Sequence, residues 1–590
     1  MRGQPPRPPD MFTSLARKTR QVAADPVLRK WLVRRLTGGA ASPSPFAAHR
    51  PPYLNGVPGP DSQDTQPQAP PEAFEPLGTK TPAEPPVESI ELPLPGLTLR
   101  LEPGAEKDVF TRSYGDMETL LALHRFAWVP LLETFDANAA AWTQALWDVW
   151  RRSFSRPGKD WAWHPYTAAE RAINLLDLAR IHGLPGPVDE TVSLLADHAT
   201  EIHRRLEYFG DHDTSNHLSN NGRGLFRIGL ALGLNWAARA GAEILDREAA
   251  RIFMPSGVLR EGSSHYHLLV ARNYADAWLA ALRHGRPEEE AFLIITRKAL
   301  AVVPWLILPG GMPLVGDISP DCPPEHLLGL AGLESGWVAG LGDDDRAAIL
   351  AQIEKTRPAD NEELAQDGWL RFSRGPWSGL WHTAPGGWPQ APGHGHQDTG
   401  GFELHFDGTP VFVDPGRGAY GEDGEAAHYR SSLVHNTVTV DGTDPYPNNK
   451  PYYDDAFRRD IAGPAPELNG GGDEVVLGHH GFGRFKGLGS LRRQWRFTND
   501  AMTLTDTLEG DGRHLVTRRF ATPLEAEAGA GGVVLKGGGR TFHLNSPDAS
   551  AAVREITLWR AYGSGRLGSL IEFTTEAQLP WTGEIRLEVL

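Results

Sequence analysis

Apolar positions in the middle of the chain recur at helical spacing. Met117-Leu120-Leu121-Leu123-His124-Trp128 mixes i, i+3 and i+4 steps, and Trp142-Leu146-Val149-Trp150 repeats the pattern. So do Ile173-Leu176-Leu178-Ile181, Leu225-Ile228-Leu230-Leu232 and Tyr274-Trp278-Leu279-Leu282. Gly and Pro stops separate these runs, as in Gly183-Leu184-Pro185-Gly186 and Pro309-Gly310-Gly311. About ten such helices in series predict stacked pairs, an α/α toroid or arc spanning residues 99–367. Near Gly368 the period changes to two. Trp377 to His382, Arg493 to Phe497, Met502 to Asp506, His514 to Phe520 and Ile585 to Val589 alternate between turns rich in Gly and Asp. Residues 368–590 are therefore expected to form a C-terminal antiparallel β-sandwich.

Residues 1–98 break both patterns. A basic stretch with apolar members at Phe12, Leu15, Val22, Leu28, Trp31 and Leu32 predicts a short amphipathic helix within residues 12–36, suited to a membrane surface or a partner, or else a frayed tail. Gly38 to Thr98 is rich in Pro, Ala, Gln and Ser. It reads as a disordered or extended linker, with order beginning near Glu102, and residues 1–90 are expected to be dispensable. The first residues carry no apolar segment followed by a small-residue cleavage site, so the sequence alone predicts a cytoplasmic protein. No apolar run reaches the length of a membrane span. A formal charge of −16 argues against non-specific nucleic-acid binding. Cys322 is the only cysteine, so no internal disulfide can form.

The chemistry concentrates between His394 and Asn436. His394 and His396 lie two residues apart, on one face if the backbone is extended. Phe402 to Phe406, the turn Asp407-Gly408 and Val411 to Val413 read as a hairpin ending at Asp414. His435 opens a further strand-like run, Thr437 to Val440. His396, Asp414 and His435 thus form a candidate nitrogen, oxygen, nitrogen metal site at strand ends, suited to zinc or a similar divalent ion. Asn216 and His217 precede a helical run, where Asn216 can serve as a cap. Tyr266 stands just before another helix.

His-Gly-His-x-Asp, Phe-Glu-Leu, Asp-Pro-Gly and His-Asn-Thr in this order resemble the heparinase II/III-like polysaccharide lyases, and the similarity extends over roughly Gly115 to Leu590. The resemblance implies β-elimination on a uronic-acid-containing polysaccharide. Asn216 would neutralise the substrate carboxylate, with His217 lining the same cleft. Tyr266 would act as acid and in some substrates also as base, and His394 as base or carboxylate neutraliser. His267 is a candidate supporter of the site, whereas His265 reads as incidental. Arg430 would hold a carboxylate or brace the loop at the metal. Arg171 and Arg223 are further candidates for gripping an anionic sugar, because a guanidinium can bind a carboxylate through two bonds. The metal would be structural, pinning strands beneath the cleft. Gly316-Asp317 also fits the family, with the role of Asp317 open between cap, structural acceptor and cleft residue. Trp161, Trp163 and Trp377 are candidates for stacking on sugar rings. The family further implies a periplasmic or cell-envelope location. Two rival readings remain: a glycoside hydrolase using Glu261 and Asp317, and a non-catalytic carbohydrate-binding protein of surface-polysaccharide assembly.

Overall fold

The computed structural model describes residues 22, 26–38, 48–61, 74–78, 85–211, 213–388, 394–450, 452–529 and 531–590. Helix α1 spans Pro26–Leu36, and a hairpin of strands β1 (Ile90–Leu94) and β2 (Leu97–Leu101) follows. The toroid then runs through α2 (Met117–Arg125), α3 (Ala137–Phe154), α4 (Pro165–Ile181), α5 (Val188–Arg204), α6 (Asn216–Leu232), α7 (Asn235–Ile252), α8 (Ser264–Arg283), α9 (Glu289–Leu300) and α10 (Asp343–Lys355). Acidic and hydroxyl caps start several of these helices. Asp116, Asp136, Ser215 and Ser263 each accept a backbone N–H of the first turn that would otherwise lack a partner. Glycines let α6 and α7 approach closely. A Cβ at Gly229 would stand 2.3 Å from the backbone nitrogen of Ala238, and one at Gly241 would stand 2.4 Å from that of Phe226.

The last helical turn ends at Gln366 and the first strand of the β region begins at Trp369. Strands β3 (Trp369–Arg374), β4 (Trp377–His382), β5 (Gly401–Phe406) and β6 (Thr409–Phe412) form one antiparallel sheet in sequence order. The β5–β6 turn is Asp407-Gly408, with φ of 45° and 78°, the left-handed geometry that a tight hairpin requires. Strand β7 (Val438–Val440) forms the edge of a second four-stranded sheet with β12 (Arg513–Thr522), β16 (Ser550–Ala561) and β17 (Ser564–Gln578). The large sheet has eight strands: β8 (Glu467–Gly471), β9 (Glu474–His479), β10 (Leu488–Phe497), β11 (Ala501–Gly510), β13 (Glu525–Gly529), β14 (Gly532–Gly537), β15 (Arg540–Asn545) and β18 (Trp581–Val589). Its order is β13-β14-β15-β18-β11-β10-β9-β8. All three sheets contribute to one buried core around Trp377, Trp381, Phe402, Trp495, Phe520 and Phe573. The helical toroid followed by an antiparallel sandwich is the architecture expected from the change of period.

The linker reading needs correction. Described parts of residues 48–98 pack on the helical body. Leu54 and Leu92 are fully buried, Tyr53 donates to Glu248 at 2.8 Å, and Leu77 and Leu184 are joined through the Leu77 N–H and Leu184 carbonyl at 2.8 Å. Windowed composition hid this, because single leucines spaced among prolines anchor the segment one at a time. Residues 12–21 and 23–25 of the expected amphipathic helix lie outside the described residues; α1 supplies the remainder. No helix among the described residues is long and apolar enough to cross a membrane.

Candidate active site

Two turns pressed against each other organise the site. Gly262, with φ of 67°, leads into the cap of α8, and Gly316, with φ of 75°, precedes Asp317. A Cβ on Gly316 would lie 2.3 Å from the carbonyl oxygen of Gly262, so this approach requires a glycine. Ser263 and Ser264 fasten the turns together: the Ser263 hydroxyl donates to the Asp317 carbonyl at 2.7 Å, and the Ser264 N–H donates to Val315 at 3.1 Å.

From the first turn, Glu261 faces the start of α6. Its carboxylate accepts both the backbone N–H and the side-chain amide of Asn216, each at 2.8 Å. His217 is 39% exposed at its side chain and lies 2.8 Å through Nδ1 from Glu207, which also accepts the Asn221 amide at 3.0 Å. Burial works to raise the Glu207 carboxyl, but the His217 charge and hydrogen bond, with Asn221, hold it down at about 2. Burial likewise opposes the charged form of His217, and Glu207 outweighs it, so this imidazole sits above its ordinary range. The His217 ring lies 4.5 Å from that of Tyr166.

Asp317 is the junction between the helical and β regions. Fully buried, it lies 3.1 Å from His394 Nδ1, 2.8 Å from His396 Nε2 and 3.0 Å from the Arg417 guanidinium. Burial pushes its carboxyl up, but the hydrogen bonds from the two histidines and the Arg417 charge hold it far below the usual carboxylate range. On the other side of His394, the Tyr266 ring lies 5.0 Å away, and its phenol is hydrogen-bonded to that of Tyr420. Burial is the main reason that the Tyr266 phenol is pushed well above its ordinary value. Asp317, Arg417 and Tyr420 complete the group. Asp317 was visible in the sequence without a role; Arg417 and Tyr420 carried no signal beyond standing after Asp-Pro-Gly.

The three expected metal ligands are buried neighbours. The His396 and His435 rings lie 5.1 Å apart, and His435 Nδ1 stands 2.9 Å from Asp414 Oδ2. Against the opposing effect of burial, Asp414 holds His435 up at about 9. His396 Nδ1 is buried without a hydrogen-bond partner. Among the described residues, no group of three His, Cys, Asp or Glu side chains is arranged to grip a metal ion as it stands. Both His435 ring nitrogens are engaged, Nδ1 by Asp414 and Nε2 by the Tyr429 carbonyl at 2.9 Å, and His396 Nε2 faces Asp317, so the unpartnered His396 Nδ1 is the one ring nitrogen of the pair open to an ion, and His435 would have to give up a bond to join it.

Arg171 and Arg223 do not line the cleft, contrary to expectation. Arg171 is fully buried, stacks on Trp150 with its guanidinium carbon 4.0 Å from the ring centre, and donates to His198 at 2.8 Å and to the His124 carbonyl at 2.9 Å. Arg223 is 1% exposed and pairs with Asp276 at 2.7 Å and Glu170 at 3.0 Å. Both guanidiniums are engaged by groups of the helical core, so neither is placed to grip a substrate carboxylate. Arg430 has Nε 3.4 Å from the Gly395 carbonyl, between His394 and His396, and Nη1 3.0 Å from Glu422. His265 and His267 are neutral core residues, held by burial at about 3 and about 4. His267 accepts the Leu259 N–H at 3.1 Å and thereby supports the approach to Glu261. Of the three tryptophans, Trp163 and Trp377 are fully buried, whereas Trp161 is 49% exposed with its ring 5.5 Å from His164. Trp161 alone of the three can meet a sugar ring.

Residues 356–578 match the family model described as Heparinase II/III-like, C-terminal. No curated protein sequence matches the chain. Among solved structures, heparinase III superimposes with a TM-score of 0.58 at 16% identity, covering 82% of this chain and 79% of its own. A mutant of the heparan sulfate lyase HepC from Pedobacter heparinus superimposes with a TM-score of 0.52 at 16% identity, covering 85% of this chain and 81% of its own. At that identity the likeness establishes a shared fold. Residues 356–578 thus match the model of a heparinase II/III-like C-terminal domain, and the chain shares its fold with heparinase III and HepC over 82% and 85% of its length.

Proposed function

We propose that this chain is a polysaccharide lyase that cleaves a uronic-acid-containing polysaccharide by β-elimination. The observation that carries the reading is the His394–Asp317 contact beside the Tyr266 phenol. A buried carboxylate at Nδ1 keeps the imidazole proton on that nitrogen, and Nε2 is left with the lone pair a base requires. Tyr266, pushed up by burial, retains its proton and suits the acid role. The proton account then closes. His394 Nε2 takes the proton from C5 of the uronate, and the C5–H electrons form the C4–C5 double bond. The C4–O4 bond breaks, and Tyr266 gives its proton to the departing oxygen. Asn216, oriented by Glu261, and the partly exposed His217 stabilise the carboxylate as negative charge spreads into it.

His396, Asp414 and His435 would hold a divalent ion such as zinc, whose contribution is to tie these loops together beneath His394. The Glu261 and Asp317 pair of the rival hydrolase is engaged. Asp317 is occupied by His394, His396 and Arg417, and Glu261 by Asn216. A screen of uronate-containing polysaccharides for an ultraviolet-absorbing unsaturated product tests the proposal. New reducing ends without that absorbance would replace it with hydrolysis.

A further inference from the structure

Helix α1 packs against Trp388 and a platform of residues between Tyr446 and Ala462. Val27, Leu28 and Trp31 are buried in a cluster with Trp388, Tyr446, Tyr453, Phe457 and Ile461. The Trp31 ring lies 4.5 Å from Tyr452 and 6.0 Å from Tyr453, and Tyr453 lies 5.8 Å from Trp388. Two ion pairs flank the apolar contact, Lys30–Asp460 at 3.1 Å and Arg34–Asp454 at 3.6 Å. Asp460 and Phe457 belong to helix α11, defined as Asp455–Ala462. The platform is tied to the site where Gln397 Nε2 donates to the Pro447 carbonyl at 3.1 Å. Tyr446 sits so close to Gly387 that a Cβ there would be 2.7 Å from its ring.

An eleven-residue helix of this composition is marginal by itself. Its order therefore depends on the platform, and the platform's apolar side chains depend on the helix for cover. Val33 and Leu36 on its outer side remain 61% and 86% exposed, so a single narrow stripe makes the contact.

From this we infer that α1 is a positioning element for the catalytic histidine. By covering Trp388 and Tyr453 it fixes residues 444–462 and, through them, the backbone carrying His394 and Gln397. On this inference α1 belongs to the catalytic unit, against the expectation that residues 1–90 are dispensable.

The test compares the full chain with a variant lacking residues 1–37 and with Trp31→Ala. Hydrogen exchange followed by mass spectrometry reads the order of the platform without reference to activity. Exchange in residues 394–397 and 444–462 should rise at least tenfold in both variants, with residues 165–181 unchanged. A synthetic peptide of residues 22–38 should restore protection to the truncated protein. The activity measurement rests on the lyase reading: turnover should fall about tenfold with KM little changed, and the peptide should rescue it. Unaltered exchange in both segments, a uniform rise that includes residues 165–181, or unaltered turnover overturns the inference. If the full chain forms no unsaturated product on any uronate polymer, the lyase reading fails, and exchange alone decides the role of α1.

Discussion

Asn216 gives both its backbone N–H and its side-chain amide to Glu261, each bond 2.8 Å long. The two-point contact fixes the amide before any substrate arrives and leaves its second N–H directed elsewhere. It also consumes the carboxylate that a hydrolase would need as its acid. One residue pair therefore supports one chemistry and removes another.

Tyr266→Phe tests the acid directly. The ring's packing is retained and one hydrogen bond, to Tyr420, is lost, so stability should move by no more than about 1–2 kcal/mol. Turnover should fall by at least ~10²-fold, the scale of a lost general acid, with substrate affinity little changed. Steady-state kinetics and a thermal melt together check both halves.

Asp317→Asn removes the charge that holds His394, His396 and Arg417. Arg417 is left buried without its countercharge, which should cost about 3–5 kcal/mol. His394 loses its tautomeric preference, and turnover should fall on the order of 10²-fold or more. Denaturant titration and kinetics on the folded fraction separate the two effects. A variant of wild-type stability would contradict the assignment of Asp317 as the junction.

The pH dependence of stability should reveal the His217–Glu207 pair. The depressed Glu207 carboxyl contributes stability that is present above its ordinary range, near ~4.3, and is lost as pH falls through about 2. The raised His217 imidazole contributes stability that is present below ~6.5 and is lost as pH rises through its folded-state value. The melting temperature of wild type minus that of Glu207→Gln should therefore peak between roughly pH 4.3 and 6.5 and shrink on either side. A difference that stays flat from pH 3 to 9 would remove the pair from the account.

Arg223→Gln distinguishes core from cleft. Glu170 and Asp276 would lose a fully buried partner, at a cost of about 3–5 kcal/mol, whereas KM for polymer should stay within about twofold of wild type. A large rise in KM with stability intact would return Arg223 to the substrate.

Elemental analysis of the purified protein should find about one equivalent of zinc or a comparable divalent metal. His396→Ala and His435→Ala should each lose it and melt at lower temperature, because the ion's binding energy contributes to folding. Equal metal in all three proteins would eliminate this ligand set.

How much of this was legible in the sequence follows from what each signal depends on. Period alone located the toroid and the sandwich, since burial of one helix face or one sheet face leaves its spacing in the chain. The histidine-rich motif brought His394, His396, Asp414 and His435 into one neighbourhood, but in loops and not at the strand ends of one sheet: His394 and His396 precede β5, Asp414 follows β6, and His435 precedes β7 of the second sheet. The role of Asp317 was invisible: its partners His394 and Arg417 lie 77 and 100 residues away, and no pattern records such a pairing. Arg171 and Arg223 misled for a related reason. A guanidinium on a helix has the same neighbours in sequence whether it faces a cleft or a buried carboxylate. Single leucines such as Leu54 and Leu92 anchor the N-terminal segments, and averaged composition does not register them.

The junction at Asp317 has a thermodynamic consequence for the chain as a whole. Its carboxylate belongs to the toroid, whereas Arg417 and His396 belong to the sandwich, and all three are shut away from water. Melting either half alone would forfeit these buried contacts for the half that remains folded, so each half lends stability to the other. The two architectures are therefore expected to behave as a single cooperative unit. Calorimetry should record one endotherm in the wild type, and the Asp317→Asn protein should be the variant in which it divides into two.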